Sequence, residues 1–250
     1  MSLRLIANWK LNGSKKFNYQ WSKDFVDNFN FHNYSSVGIA PASIYLDHLK
    51  KVFKDSAIEL GAQNIDIQES GSRTGEISAS MVKDLGGRFS IIGHSERRIY
   101  FNESNSIIGQ KLIQAYQSSL LPILCIGESI EQNQRKITEE VLEKQIIGAL
   151  DGSVKLKSLI IAYEPIWAIG SGKIPNPEDI NSLHEMIKDV VQSRFPNIDL
   201  ESVLYGGSVN LENASSLFKQ KNIDGALIGG ASLDGKEFAF IANTFNELKE

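Results

Sequence analysis

The sequence predicts an α/β protein folded as a single (β/α)8 barrel, eight parallel strands with surrounding helices, in one domain over residues 1–250. Three observations carry that expectation. Short, near-continuous apolar runs recur eight times, the pattern of strands covered on both faces. Successive runs begin far enough apart to hold a crossover helix, which a parallel sheet requires. No Pro-, Gly- or Ser-rich linker divides the chain into halves. An open, doubly wound sheet shares this local pattern and stays as the alternative, because periodicity alone does not close a barrel.

In order, the runs are residues 3–7, 37–40, 58–62, 89–92, 120–126, 159–163, 203–205 and 225–228. Apolar residues at helical spacing fill 17–29 after the first run, 107–116 before the fifth and 238–248 after the eighth. The clearest helix follows Lys173. Asn176 suits the cap and Pro177 the first helical position, while Glu178 and Asp179 favour the positive helix end. Ile180, Leu183, Ile187, Val190 and Val191 then form one apolar stripe.

Composition narrows the function. With 42% hydrophobic and 22% charged residues, 250 residues can bury a substantial core. Lys and Arg total 26 against 30 Asp and Glu, a net charge of -4, without the positive excess that a phosphate backbone demands, so no nucleic-acid partner is expected. No run approaches the roughly 18 apolar residues of a membrane span, and Arg4 and Asn8 interrupt any signal-peptide core, so a cytoplasmic protein away from the membrane is expected. Cys125 is the only cysteine, which excludes an internal disulfide and a multi-cysteine zinc site. His184-Glu185 starts like a zinc motif, but Lys188 stands where the second histidine belongs, so no metal is expected.

In a parallel barrel every strand ends at one rim, so polar residues just past the runs converge. Those ends supply Asn8 and Lys10, Gln63 and Asn64, His94, Glu164, Gly206-Gly207-Ser208 and Gly229-Gly230. Glu164 is the candidate base: Pro165 biases it towards extended backbone, and Trp167, Ala168 and Ile169 are expected to shelter its carboxylate. His94 lies where strand gives way to helix, a setting that favours a neutral imidazole donating to a carbonyl. Lys10 would attract an anionic substrate, with Asn8 orienting it and Glu96 as counter-ion. Gly170-Ser171-Gly172, Gly206-Gly207-Ser208 and Gly229-Gly230 could offer backbone N–H groups to a phosphate. Gly172-Lys173 is no nucleotide loop, since Trp167 replaces its first glycine and Ile174 its Ser or Thr. Cys125 reads as a buried structural thiol.

These residues sit in motifs through which the chain resembles the triosephosphate isomerase family. The central ones are Asn8-Trp9-Lys10-Leu11-Asn12-Gly13, Ile92-Gly93-His94-Ser95-Glu96-Arg97-Arg98 and Ala162-Tyr163-Glu164-Pro165-Ile166-Trp167-Ala168-Ile169-Gly170. Gly61-Ala62-Gln63-Asn64, Thr74-Gly75-Glu76-Ile77-Ser78, Cys125-Ile126-Gly127-Glu128, Tyr205-Gly206-Gly207-Ser208-Val209 and Gly229-Gly230-Ala231-Ser232-Leu233 extend the likeness along essentially the whole chain.

The resemblance implies a cofactor-free, homodimeric TIM barrel that interconverts dihydroxyacetone phosphate and D-glyceraldehyde 3-phosphate in glycolysis and gluconeogenesis. By matching position it makes Glu164 the proton-transferring base, His94 the electrophile, and Asn8 and Lys10 substrate contacts. Gly170, Ser208, Gly229 and Gly230 would hold the phosphate, residues 165–173 would form a lid, and the loop containing Thr74 would enter the partner subunit. Three departures stand out. Arg73 replaces an aromatic or apolar residue beside Thr74, Ser171 replaces a common threonine, and Ile174-Pro175 sits at the closing hinge, where altered lid kinetics are expected. A different phosphosugar isomerase or lyase, or a silent binding barrel, would share the fold. The intact Lys10, His94 and Glu164 motifs disfavour both.

Overall fold

The eight apolar runs become eight strands, and the sheet closes on itself. In this computed structural model, which describes residues 4–30, 36–54, 56–152, 155–168 and 175–249, the strands are β1 (Leu5–Asn8), β2 (Val37–Ala40), β3 (Glu59–Ala62), β4 (Phe89–Ile92), β5 (Leu121–Ile126), β6 (Ser158–Tyr163), β7 (Asp199–Tyr205) and β8 (Gly225–Ile228). Each pairs in parallel with the next, and β8 returns to β1 with Ala226 opposite Leu5. That last pairing removes the open-sheet alternative.

Helices occupy the crossovers: α1 (Lys15–Asn28), α2 (Leu46–Val52), α3 (Ala79–Asp84), α4 (Ser95–Tyr100), α5 (Asn105–Gln117), α6 (Ile130–Gln134), α7 (Thr138–Leu150), α8 (Pro177–Arg194), α9 (Ala214–Phe218) and, after the last strand, α10 (Gly235–Lys249). Their starts follow local chemistry. Ser14 accepts from the Phe17 N–H at the head of α1, Ser129 and Gln132 form a reciprocal capping box on α6, and Asn176 caps α8 with Pro177 in its first turn.

The core has two shells set by the period of two along each strand. Ile6, Ala40, Phe89, Ile91, Ile123, Cys125, Ile160, Ala162, Leu204 and Leu227 fill the barrel interior. Their strand neighbours, such as Leu5, Ala7, Leu124, Ile161, Tyr163 and Tyr205, pack outwards under the helices. Phe89 sets two sequence choices. A Cβ at Gly38 or Gly61 would lie 2.8 Å or 2.5 Å from its ring, so those strands carry glycine where the ring crosses the interior. The same parity, continued past the strand ends, brings Asn8, Glu164, Gly206 and Gly229 to the inner rim.

One reading of the sequence needs correction. The seventh strand begins at Asp199, not Val203, because it pairs with β6 from Ser158 across an irregularity at Leu159/Ile160, its first three residues being exposed or half-buried. Helix α7 fills the expected crossover between β5 and β6, and Leu142, Ile146, Ala149 and Leu150 give it a buried stripe.

His184, turned down as a metal ligand, belongs to α8 and is buried against β6. It stands edge-on to the Tyr163 ring at 6.0 Å, with Nδ1 3.2 Å from the Asn222 carbonyl. Burial pushes its pKa down to about 4, against the opposing pull of Asn222 and Asp224. Below an ordinary value of about 6.5 the unfolded chain therefore binds a proton that the folded chain refuses. The stability this contributes is present above that value and fades as pH falls towards 4, by roughly 3 kcal/mol over the window. Urea unfolding at pH 7 and pH 4 should show a pH-dependent loss that is smaller by about that amount in His184→Asn; equal losses in the two proteins would refute the account.

Candidate active site

The predicted site residues that the structure describes, Asn8, Lys10, His94, Glu96, Glu164, Ser208, Gly229 and Gly230, line adjoining clefts at the C-terminal rim, and the strands explain how. Beyond β6 the ladder runs one residue further: Glu164 N–H donates to the Ile126 carbonyl at 2.7 Å, and Gly206 N–H to the Tyr163 carbonyl at 2.7 Å. The Glu164 backbone is thus held between the ends of β5 and β7 before Pro165 turns the chain away. Two glycines make room for it. A Cβ at Gly127 would lie 1.8 Å from the Glu164 carbonyl oxygen, and one at Gly206 2.7 Å from Glu164 Cγ. The sequence motifs contain both glycines, but only the fold shows that they flank one glutamate.

The Glu164 carboxylate is 2% exposed, with both oxygens engaged. Oε2 accepts from the Ser95 N–H at 2.9 Å, and Oε1 lies 3.0 Å from His94 Nε2. His94 caps α4, its Nδ1 accepting from the Glu96 N–H at 3.2 Å. An imidazole whose Nδ1 accepts carries its proton on Nε2, so His94 donates towards Glu164. The expected shelter from Trp167 takes another form: its indole N–H donates to Glu128 Oε1 at 2.7 Å. Glu128 is fully buried, and burial pushes its pKa up while donors from Trp167, Tyr163 and Asn133 oppose that shift.

Lys10 has an unusual backbone, with φ at 51° in the left-handed region. It is pinned from both sides. Asn8 Oδ1 accepts from the Lys10 N–H at 3.1 Å, while Gln63 Nε2 donates to the Lys10 carbonyl and to that of Ala40, each at 2.9 Å. Its ammonium meets Glu96 Oε1 at 2.7 Å, as anticipated. A Cβ at Gly229 would lie 3.2 Å from Lys10 Cε, so the lysine stem crosses that glycine. Asn64 accepts from Lys111 at 2.7 Å.

Asn8, Lys10, His94, Glu164, Ser208 and the Gly229-Gly230 pair share one cleft of about 320 Å³. Ser208 Oγ donates to the Ala168 carbonyl at 2.8 Å, joining the loop after β7 to the turn Ile166–Ala168. Gly230 starts the turn Gly230–Leu233, and a Cβ there would meet nothing within 4 Å. Glu96 faces an adjoining cleft of about 270 Å³ that shares Asn8, Lys10 and His94 with the first. Gly170, with Ile169, Ser171, Gly172, Lys173 and Ile174, lies outside the described residues. The Cys125 thiol is fully buried, and burial together with the nearby Glu164 carboxylate pushes its pKa well up. Among the described residues, no group of three or more His, Cys, Asp or Glu side chains is placed to hold a metal ion, and no helix is long and apolar enough to cross a membrane.

Among the described residues the cleft holds one buried carboxylate, one imidazole donor, one ammonium and an open glycine-lined end, a set that suits proton abstraction from a small anion. The comparisons agree. The family model described as triosephosphate isomerase matches residues 3–245. Proteins named triosephosphate isomerase from Escherichia coli (strain K12 / DH10B) and from Shigella boydii serotype 18 are 42% identical to this chain over 249 residues, covering 98% of both sequences.

Proposed function

The chain belongs to the triosephosphate isomerase family and interconverts dihydroxyacetone phosphate and D-glyceraldehyde 3-phosphate, a step of glycolysis and gluconeogenesis, and on that premise we propose that Glu164 moves the proton while His94 and Lys10 hold the charge created by its removal. The observation that supports this most is the buried Glu164–His94 contact at 3.0 Å in the wall of the cleft. Glu164 takes a proton from the carbon beside the substrate carbonyl; the C–H electron pair becomes the new C=C bond and the carbonyl π pair moves onto oxygen, giving an enediolate. His94 Nε2–H donates to that oxygen, and the Lys10 ammonium offsets its charge. The hydroxyl proton passes between the two oxygens beside His94, and Glu164 returns its own proton to the other carbon. Atoms and electrons balance within substrate and side chains.

Before reaction both Glu164 oxygens are occupied. A substrate oxygen competes for the His94 proton, releasing Oε1 to face the substrate carbon. Asn8 sets the Lys10 backbone, and Glu96 holds its ammonium until an anion arrives. Ser208, Gly229 and Gly230 take the phosphate, with Gly170 assigned to the same role by motif position. Water exclusion protects an enediolate that can otherwise lose phosphate. In a coupled assay with D-glyceraldehyde 3-phosphate, turnover that collapses when Glu164 is altered supports these roles, and an unchanged rate refutes them.

The enzyme works as a homodimer in this reading, joined through the loop containing Thr74. Leu11, Ile44, Tyr100 and Phe101 are large apolar side chains 60–98% exposed on segments after β1, β2 and β4, apolar surface of the kind that a partner covers. Arg73, which replaces an apolar family residue, turns back onto its own loop: Nε and Nη2 reach Asp66 Oδ2 at 3.1 Å and 2.8 Å. Burial raises the Asp66 pKa, but the Arg73 guanidinium and the Gln68 N–H together outweigh it and leave the carboxyl below the usual range. Sedimentation at micromolar concentration should give twice the chain mass; monomer alone would overturn the dimer. A cytoplasmic location fits a substrate whose charged phosphate does not cross membranes.

A further inference from the structure

Arg98 lies on α4, yet its guanidinium folds beneath the catalytic rim. Nε donates to the Gly93 carbonyl at 2.8 Å, Nη2 to the Cys125 carbonyl at 2.9 Å and Nη1 to Asn105 Oδ1 at 2.7 Å. Gly93 immediately precedes His94, and Cys125 immediately precedes Ile126, whose carbonyl holds the Glu164 N–H at 2.7 Å. The β4–β5 ladder ends at Ile92 opposite Leu124, so this fork bridges the two strand ends just where their pairing stops.

The bridge matters because the peptide before His94 is otherwise permissive. Gly93 has φ at 72°, and a Cβ there would meet Ile108 Cδ1 at 2.8 Å, so glycine is required where backbone rotation costs least. We propose that Arg98 is a positioning residue for the isomerisation: by gripping Gly93 and Cys125 together it fixes the His94 donor relative to Glu164. A planar guanidinium suits the task, since its donors diverge at fixed angles, whereas an ammonium cannot hold both carbonyls in that geometry. Arg98 is half-buried, and desolvation lowers its pKa while nearby groups, Glu164 and Glu103 among them, oppose that shift.

This inference rests on the assigned roles of Glu164 and His94 and is tested by Arg98→Lys and Arg98→Met. Arg98→Met should lower kcat roughly 10- to 100-fold per folded molecule, because a misplacement of about 1 Å costs rates of that order. KM should change less than about threefold, since Ser208, Gly229 and Gly230, proposed for the phosphate, follow β7 and β8 and not the β4 and β5 ends that Arg98 bridges. Arg98→Lys should keep KM and recover only part of kcat, having the charge without the fork. Wild-type kcat in folded Arg98→Met, whatever its melting temperature, would overturn the proposal and leave Arg98 a structural residue. If Arg98→Met does not fold, Arg98→Lys decides: a selective fall in kcat supports positioning, and wild-type kcat overturns it. Impaired Glu164→Asp beside unimpaired Arg98 variants would mean that the positioning inference alone has failed; an unimpaired Glu164→Asp would mean that the base assignment has failed.

Discussion

Glu164→Asp is expected to bind substrate almost normally and to turn it over roughly 100- to 1000-fold more slowly, within the range by which a positioned general base accelerates reactions. The substitution withdraws the carboxylate by one methylene from a site built around the longer chain. Glu164 Cγ lies over Gly206, and the two oxygens reach Ser95 and His94 at 2.9 Å and 3.0 Å. The shorter side chain cannot keep its backbone between Ile126 and Gly206 and still reach the substrate carbon. Because Ser208, Gly229 and Gly230 are untouched, KM should stay within about threefold while kcat falls, the pattern of a contact made in the transition state. Tenfold corresponds to about 1.4 kcal/mol, so the loss amounts to about 3–4 kcal/mol of transition-state stabilisation. A coupled assay checks it, and near-normal kcat would remove Glu164 as the base.

Lys10→Met should act differently, raising KM and lowering kcat together, with kcat/KM down about 100-fold or more. Methionine keeps the length of the stem that crosses Gly229 but removes the only ammonium that lines the cleft among the described residues. The fold should survive. Asn8 and Gln63 hold the Lys10 backbone through its N–H and carbonyl, which methionine retains, and Glu96, with its side chain 44% exposed, can be hydrated once unpaired. An ammonium–phosphate attraction weakens with salt, so the gap between wild type and variant should narrow as ionic strength rises. Kinetic constants equal to those of the wild type would take Lys10 out of the mechanism.

Much of this chemistry was legible in the sequence because it is local. The turn from strand to helix at His94 follows from Ile91-Ile92-Gly93 before it and Ser95-Glu96 after it, and the cap that makes Nδ1 an acceptor lies two residues away. Asn8 reaches Lys10 over the same short distance. Asn176-Pro177 starts α8 as its cap chemistry requires. Apolar content finds strands buried on both faces, so it misses the start of β7, where Asp199 is exposed and Glu201 half-buried.

Contacts between distant segments were not legible. Arg73 showed only as a break in the family pattern; that it clamps Asp66 within its own loop depends on how the loop folds. Trp167 read as a cover for Glu164, whereas its indole N–H goes to Glu128, on a segment 39 residues away. Gly206 reads in the sequence as a phosphate-binding glycine and Gly127 only as part of a motif; the closed sheet sets them on either side of Glu164.

The sequence by itself determined the strand runs, the helix periodicities and the caps, since these depend on backbone geometry over two to four residues, while the parity that turns Asn8 and Glu164 inwards shows only once the barrel interior is seen. Only the tertiary structure decided that β8 meets β1, and with it that residues 8, 94, 164, 206 and 229 share one cleft. Closure is a pairing between the two ends of the chain, held by ladder bonds and a common interior that no local window of sequence contains.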